Sequence, residues 1–312
     1  MHAELHSLQG ATRLADWGVL RASGADTLRF LNGQLTQQLS TLPEGVARLA
    51  GYCSPKGRLL ASLVVWRSGA DEVLLACSAD LLAATARRLS MFVLRAKCRI
   101  EDASSSLPIW GLAGDVARDW LGATANDAAW SVRRVGSAWA IALPGGAGVS
   151  RWLWVAPAGE SSPPLPALEP AHWLALEALS GVPRVVAATA EQFVPQMVNL
   201  ELVGGVDFQK GCYTGQEVVA RSQYRGTLKR RMFLFECDAP ATPGQELFHS
   251  DDPGQPAGMV VIAGALDKQS STLLAEVKLA ALAGGSLHLG RADGPALRRA
   301  ALPYAVPEPE TT

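Results

Sequence analysis

Apolar positions along this chain change their spacing several times, and each change marks an element. Leu59 to Trp66 is a continuous apolar run with β-branched residues, Val73 to Cys77 is another, and Ser68-Gly69-Ala70-Asp71 joins them as a hairpin. From Ser78 the spacing lengthens. Leu81, Leu82, Leu89, Phe92 and Val93 recur three or four residues apart, which predicts a helix capped by Ser78 with Arg95 and Lys97 at its end. Upstream, Ser23 to Leu31 reads as a short helix ended by Asn32-Gly33, and Gly51 to Arg58 as a loop punctuated by Pro55 and Gly57. Together these form an α+β unit closing near residue 100.

A second unit follows. Ile109 to Ala113 is a strand, Asp115 to Leu121 a short helix stopped by Gly122, and Trp130 to Val135 pairs with Trp139 to Leu143 across Gly136-Ser137. Trp152 to Val155 adds a strand. Pro157, Pro163, Pro164, Pro166 and Pro170 then mark a linker, after which a helix runs from about Ala171 to Leu179. Beyond Lys229 the texture turns to short strands (Met232 to Cys237, Met259 to Ala263, Leu273 to Leu279, Ser286 to Leu289) between Gly, Pro and Asp turns, the pattern of a small β-barrel.

Composition narrows the function classes. A chain of 312 residues, 48% hydrophobic, buries substantial cores in two or three domains. The net charge of −1 gives no pull toward nucleic acid or an anionic membrane. Five cysteines without a C-x-x-C pair support neither a disulfide framework nor a metal site, and five scattered histidines add no ligand spacing. No run approaches a bilayer span and no leader pattern opens the chain, so a cytoplasmic location is expected.

The densest chemistry lies in Lys210-Gly211-Cys212-Tyr213-Thr214-Gly215-Gln216-Glu217. Thr214 and Glu217 stand in capping-box relation before Val218-Val219-Ala220-Arg221, predicting a helix from Thr214 to about Tyr224 stopped by Gly226. Cys212 then precedes a helix N-terminus two residues from the Lys210 cation, both of which favour a thiolate. The glycines leave room for close backbone approach. Gly51-Tyr52-Cys53-Ser54-Pro55-Lys56-Gly57-Arg58 offers two cations on a flexible loop, and nine tryptophans supply flat faces for a planar heterocycle.

These residues resemble the YgfZ family of bacterial folate-binding proteins, relatives of the glycine-cleavage T-protein. The octapeptide with Val218-Val219-Ala220-Arg221 is the most specific match. Leu14-Ala15-Asp16-Trp17, Gly24-Ala25-Asp26, Phe30-Leu31-Asn32-Gly33-Gln34-Leu35-Thr36, Pro55-Lys56-Gly57-Arg58, Gly181-Val182-Pro183, Phe193 to Leu200 and Leu302-Pro303-Tyr304 also fit. The resemblance implies an α+β, three-domain T-protein-like fold around a central channel with a C-terminal β-barrel. It places a discontinuous folate-binding domain at 1–100 and 171–230, a second domain at 101–156, the linker at 157–170 and the barrel at 231–312. It implies a tetrahydrofolate (or one-carbon derivative) site with Trp17 and Trp173 flanking the ligand and Gln196, Tyr213, Gln216, Glu217 and Arg221 nearby. Cys212 and Lys210 would be the functional thiol and its cation.

By the same resemblance, the protein would support iron–sulfur cluster assembly or repair and, through it, tRNA modification, with iron–sulfur enzymes such as tRNA-thiolating enzymes as partners. The alternative is a folate-dependent one-carbon transferase. Two departures weigh against a T-protein enzyme. Ala61-Ser62 replace an Asp pair whose carboxylate works on the folate nitrogen, a role neither residue can take. Leu179 replaces a pterin-binding Glu, with Glu177 about 200° away around the helix.

Overall fold

A computed structural model describes residues 8–124, 128–224, 228–267 and 269–307. Three antiparallel sheets carry the fold. The first, of five strands, runs in the order β3 (Ala47–Cys53), β4 (Leu59–Gly69), β5 (Glu72–Ser78), β2 (Trp17–Ser23) and β6 (Arg99–Asp102). Alternation along these strands gives the sheet two buried faces. Leu63, Val65, Leu75 and Cys77 face one core, while Val64, Trp66, Leu74 and Ala76 face the other. Helix α1 (Thr27–Asn32) and helix α2 (Ala79–Val93) cover the first of these faces.

The second sheet also has five strands, in the order β1 (Gly10–Arg13), β7 (Ile109–Ala113), β10 (Val149–Val155), β9 (Ala138–Gly146) and β8 (Val132–Val135). Helix α3 (Gly114–Leu121) packs on it and ends at Gly122, whose φ of 60° is the left-handed turn a glycine permits. Gly10 has φ 129°, and a Cβ there would lie 2.1 Å from the Pro166 carbonyl oxygen. That close approach lets the Pro-rich stretch run beside β1, with Ala11 N donating to Pro166 O at 2.8 Å and Leu168 N to Ala11 O at 2.9 Å.

Helix α4 (Pro170–Leu179) starts with proline at its first position and buries Trp173 and Ala175 to Ala178 between the sheets. Helix α5 (Gln216–Tyr224) follows the octapeptide. The third sheet has six strands in the order β15 (Leu287–Leu289), β12 (Glu246–His249), β13 (Asp252–Gly264), β14 (Ser271–Lys278), β11 (Arg230–Cys237) and β16 (Leu297–Ala300). It curls toward closure, His288 of β15 bridging Ala296 ahead of β16.

Four local readings are corrected. Ser23 ends strand β2, and the helix expected from it begins only at Thr27, because Arg21 to Ser23 pair with β5 and β6. Gly51 to Cys53 are strand, so only Ser54 to Arg58 form the hairpin tip. Gly10–Arg13 pairs with β7 of the second sheet, not with the first domain. Ser78 lacks a side-chain cap bond, its hydroxyl accepting from Arg184 Nη1 at 3.0 Å instead. Strands β1, β6, β12 and β16 had no sequence expectation; they are short or half-exposed and lack a sustained apolar run.

Candidate functional site

One cleft lies where the first sheet, the second sheet and the α4 segment meet. It is lined by Trp17, Ser62 and Val64 of the first sheet, Trp130 and Arg151 on the second, Glu177 of α4 and Arg184 beyond that helix. Ser62 stands opposite Gly51 in the β3–β4 register, and its hydroxyl accepts from Val185 N at 3.0 Å, holding the 182–186 segment against the sheet. Ala61 points to the other face and is fully buried.

A buried ion network forms the floor. Arg184 donates to Glu177 Oε2 from Nη2 at 3.0 Å and from Nε at 3.2 Å, and to Asp16 Oδ2 at 2.7 Å. Burial pulls the Arg184 guanidinium down, but Glu177 and Asp16 more than offset that and hold it above the ordinary value. Its plane lies 5.1 Å from the Trp17 ring, so one face of that indole is already taken. Trp173 donates from Nε1 to Glu177 Oε1 at 3.2 Å, and the Arg151 guanidinium lies 5.2 Å from its ring. Arg151 is 3% exposed and donates from Nε and Nη2 to Pro144 O at 3.2 and 3.0 Å. Burial pushes it down to about 10, with Glu177 pulling the other way, so it stays a cation at neutral pH. Two buried donors of this cleft, Trp17 Nε1 and Arg151 Nη1, have no acceptor among the described residues.

The octapeptide forms a separate station at the tip of the β3–β4 hairpin. Gly215 has φ 83°, and a Cβ there would lie 2.4 Å from Ser54 O; a Cβ on Gly57 would lie 2.7 Å from Val218 Cβ. Two loops singled out separately in the sequence therefore pack backbone to backbone. Lys210 is buried, donating to Asn32 O and, at 2.9 Å, to Leu35 O, with its ammonium 4.8 Å from the Tyr213 ring. It satisfies carbonyls at the end of α1, and burial pulls it down to about 8, Asp207 and Cys212 raising it in part. Cys212 is exposed, whereas Cys53, Cys77 and Cys237 are buried and Cys98 is intermediate. Burial pushes Cys53 and Cys77 up to about 12. Cys53, placed by its sequence context in a loop with two cations, is instead sealed beneath the hairpin tip.

The predicted folate residues thus divide. Trp17 lines the cleft; Trp173 does not, being fully buried between Arg151 and the bare backbone of Gly111. Gln196 is also fully buried and donates to Val219 O at 2.8 Å, tying α5 down. Tyr213 is buried at the hairpin tip, while Gln216, Glu217 and Arg221 lie on α5; none of them lines the cleft. Helix α5 begins at Gln216, with Val219 N bonded to Gly215 O, so Gly215 holds the cap position expected of Thr214. Gly226, the expected stop, lies outside the described residues.

Sequence reasoning missed Arg151, Arg184 and Glu177 as cleft walls. Glu177 faces the cleft although its helical position argued otherwise, and Leu179 packs on Gly146 instead. Charged residues inside apolar runs, such as Arg151 within Val149–Val155, were the available signal. Other matching segments are framework. Gly181 (φ 69°) leaves room for Tyr304, whose hydroxyl donates to Gly181 O at 2.8 Å, and Asn199 donates to Met232 O at 2.7 Å.

The GCVT N-terminal domain family model matches residues 2–143. A relative named tRNA-modifying protein YgfZ, from Klebsiella pneumoniae (strain 342), is 31% identical over 308 residues, covering 94% of this chain and 92% of that protein. Another of that name, from Edwardsiella ictaluri (strain 93-146), is 33% identical over 246 residues, covering 74% and 72%. The solved glycine cleavage system aminomethyltransferase T from Bartonella henselae superposes with a TM-score of 0.67 at 16% identity, covering 95% of this chain and 86% of that one. The chain belongs to the YgfZ family, and its fold is that of the glycine-cleavage T-protein.

Proposed function

We propose that this YgfZ-family protein binds a reduced folate, its pteridine seated in the Trp17 cleft, and thereby supports iron–sulfur cluster assembly or repair and, through it, tRNA modification. The observation that carries the folate reading is the cleft itself. It lies at the junction of three elements of a T-protein fold, it is lined by Trp17 and Trp130, and Trp17 offers an indole N–H that no group among the described residues accepts. A bound tetrahydrofolate would supply one-carbon and redox chemistry. Trp17 and Trp130 would bracket its ring, and Glu177, fixed by Arg184 and Trp173, would keep a spare carboxylate lone pair toward it. The tRNA half of the proposal is supported by the name the relatives carry.

Cys212 is the accessible nucleophile in this reading, displayed beside the hairpin tip on a backbone locked by Gly57 and Gly215. Leu49 lines the cleft, and Cys53 lies four residues further along β3, about 13 Å on an extended strand. Thiol chemistry and ring binding therefore occupy neighbouring stations, not a single pocket. Cytoplasmic iron–sulfur enzymes are the proposed partners. Among the described residues no helix is long and apolar enough to cross a membrane.

A transferase of the T-protein type is the weaker alternative, because Glu177 is the single carboxylate among the described cleft-lining residues and is already ion-paired. Calorimetric titration with tetrahydrofolate tests the proposal. Saturable binding that falls about tenfold or more in Trp17→Leu supports it; no binding by the folded wild type removes it.

A further inference from the structure

We propose that Arg151 sets ligand specificity in the cleft by donating its free Nη1–H to the ring carbonyl of a 4-oxo pteridine, so that the site accepts oxo-pteridines and rejects their 4-amino counterparts. The inference rests on the folate reading and names the feature of the ring that is read.

Three observations carry it. Arg151 is immobilised: Nε and Nη2 share Pro144 O, and the guanidinium is stacked 5.2 Å from Trp173, which Glu177 pins in turn. The strand positions it, because the β9–β10 register shifts between Val149 and Arg151, a bulge that re-aims the side chain. One nitrogen is left over. Nη1 is buried without an acceptor on a residue that lines the cleft and is 3% exposed. A charged donor held indoors with nothing to bond is a standing cost that a ligand acceptor relieves.

Charge balance says what kind of acceptor. Arg151 and Arg184 face Glu177 and Asp16, two cations against two carboxylates, so the set is already neutral and has no call for an additional anion. A neutral carbonyl oxygen fits. An exocyclic amino group at the same ring position presents donors to a guanidinium that has no lone pair to offer. Sites built to bond a particular group reject an analogue that leaves them unpaired.

The test is calorimetry on the full chain with tetrahydrofolate and its 4-amino-4-deoxy counterpart, for wild type, Arg151→Gln and Arg151→Lys. Wild type is expected to prefer the oxo ring by about tenfold or more. Arg151→Gln, which carries an acceptor as well as donors, should bring the ratio near one. Arg151→Lys has a single head that cannot serve Pro144 O and the ligand together, so it should also lose preference, and it stands in if the Gln variant fails to fold. Equal wild-type affinity for the two rings would mean that water satisfies Nη1 and would overturn the proposal. A preference unchanged in the folded variants would overturn it too. Binding of neither ring by wild type would instead take down the folate reading beneath it.

Discussion

Replacing Arg184 with Met tests whether the cleft floor is held by its ion network. The side chains of Arg184 and Glu177 are each 7% exposed, and they share Nη2–Oε2 and Nε–Oε2 bonds. Arg184→Met leaves the Glu177 carboxylate with Trp173 Nε1 as its remaining donor among those described, inside a wall that water enters poorly. Stranding one partner of a buried pair costs about 3–5 kcal/mol. The Asp16 contact adds little, because that carboxylate is half exposed and screened. At about 2–4 °C per kcal/mol for a cooperative unit of this size, the melting temperature should fall on the order of 10 °C. Arg184→Met combined with Glu177→Gln removes the stranded charge while keeping an acceptor for Trp173, and should recover at least half of the loss. Thermal unfolding followed by circular dichroism reads both. A single variant within about 2 °C of wild type, or a double variant no better than the single, would refute the reasoning, because a network of surface-like strength costs no more than that.

Limited alkylation at neutral pH with peptide mass spectrometry should label Cys212 first, Cys98 slowly, and Cys53, Cys77 and Cys237 last; early labelling of Cys53 would contradict its burial. Gly215→Ala should cost about 2 kcal/mol or more and loosen the hairpin tip, since φ is 83° and the added methyl meets Ser54 O at 2.4 Å; an unchanged melting temperature would argue against that contact. Stability should fall as pH rises from 9 toward 12. Cys53 and Cys77 are pushed up to about 12 in the folded state, so the unfolded chain, with thiols near 9.0, releases protons first and is favoured. Three pH units correspond to about 4 kcal/mol per thiol at most. Lys210, pulled down to about 8 from 10.5, acts oppositely between those values, so the net fall should steepen above about pH 10.5. Cys53→Ala with Cys77→Ala should flatten this alkaline limb in urea titrations run at stepped pH; an unaltered limb would discard the thiols as its cause.

The longer local elements and the family were legible in the chain. Short continuous apolar runs with β-branched residues, such as Leu59 to Trp66, and the three-four spacing after Ser78 reflect strand and helix geometry, and they reappear as β4 and α2. The octapeptide was also legible, because a glycine must stand wherever backbones touch, and Gly57 and Gly215 do touch. Other features depended on tertiary contacts. Helical phase placed Glu177 away from the expected ligand position, yet Arg184 and Trp173 draw it into the cleft wall. Trp173 looked like a ligand platform but is sealed under Arg151, because burial depends on what packs above a residue and not on its neighbours in sequence. Lys210 read as the partner of Cys212 until folding brought the Asn32 and Leu35 carbonyls to its ammonium. Pairings across more than a hundred residues, such as Asp16 with Arg184, have no period or spacing in the chain. Sheet packing alone decides which charges meet, and so which donor is left for a ligand.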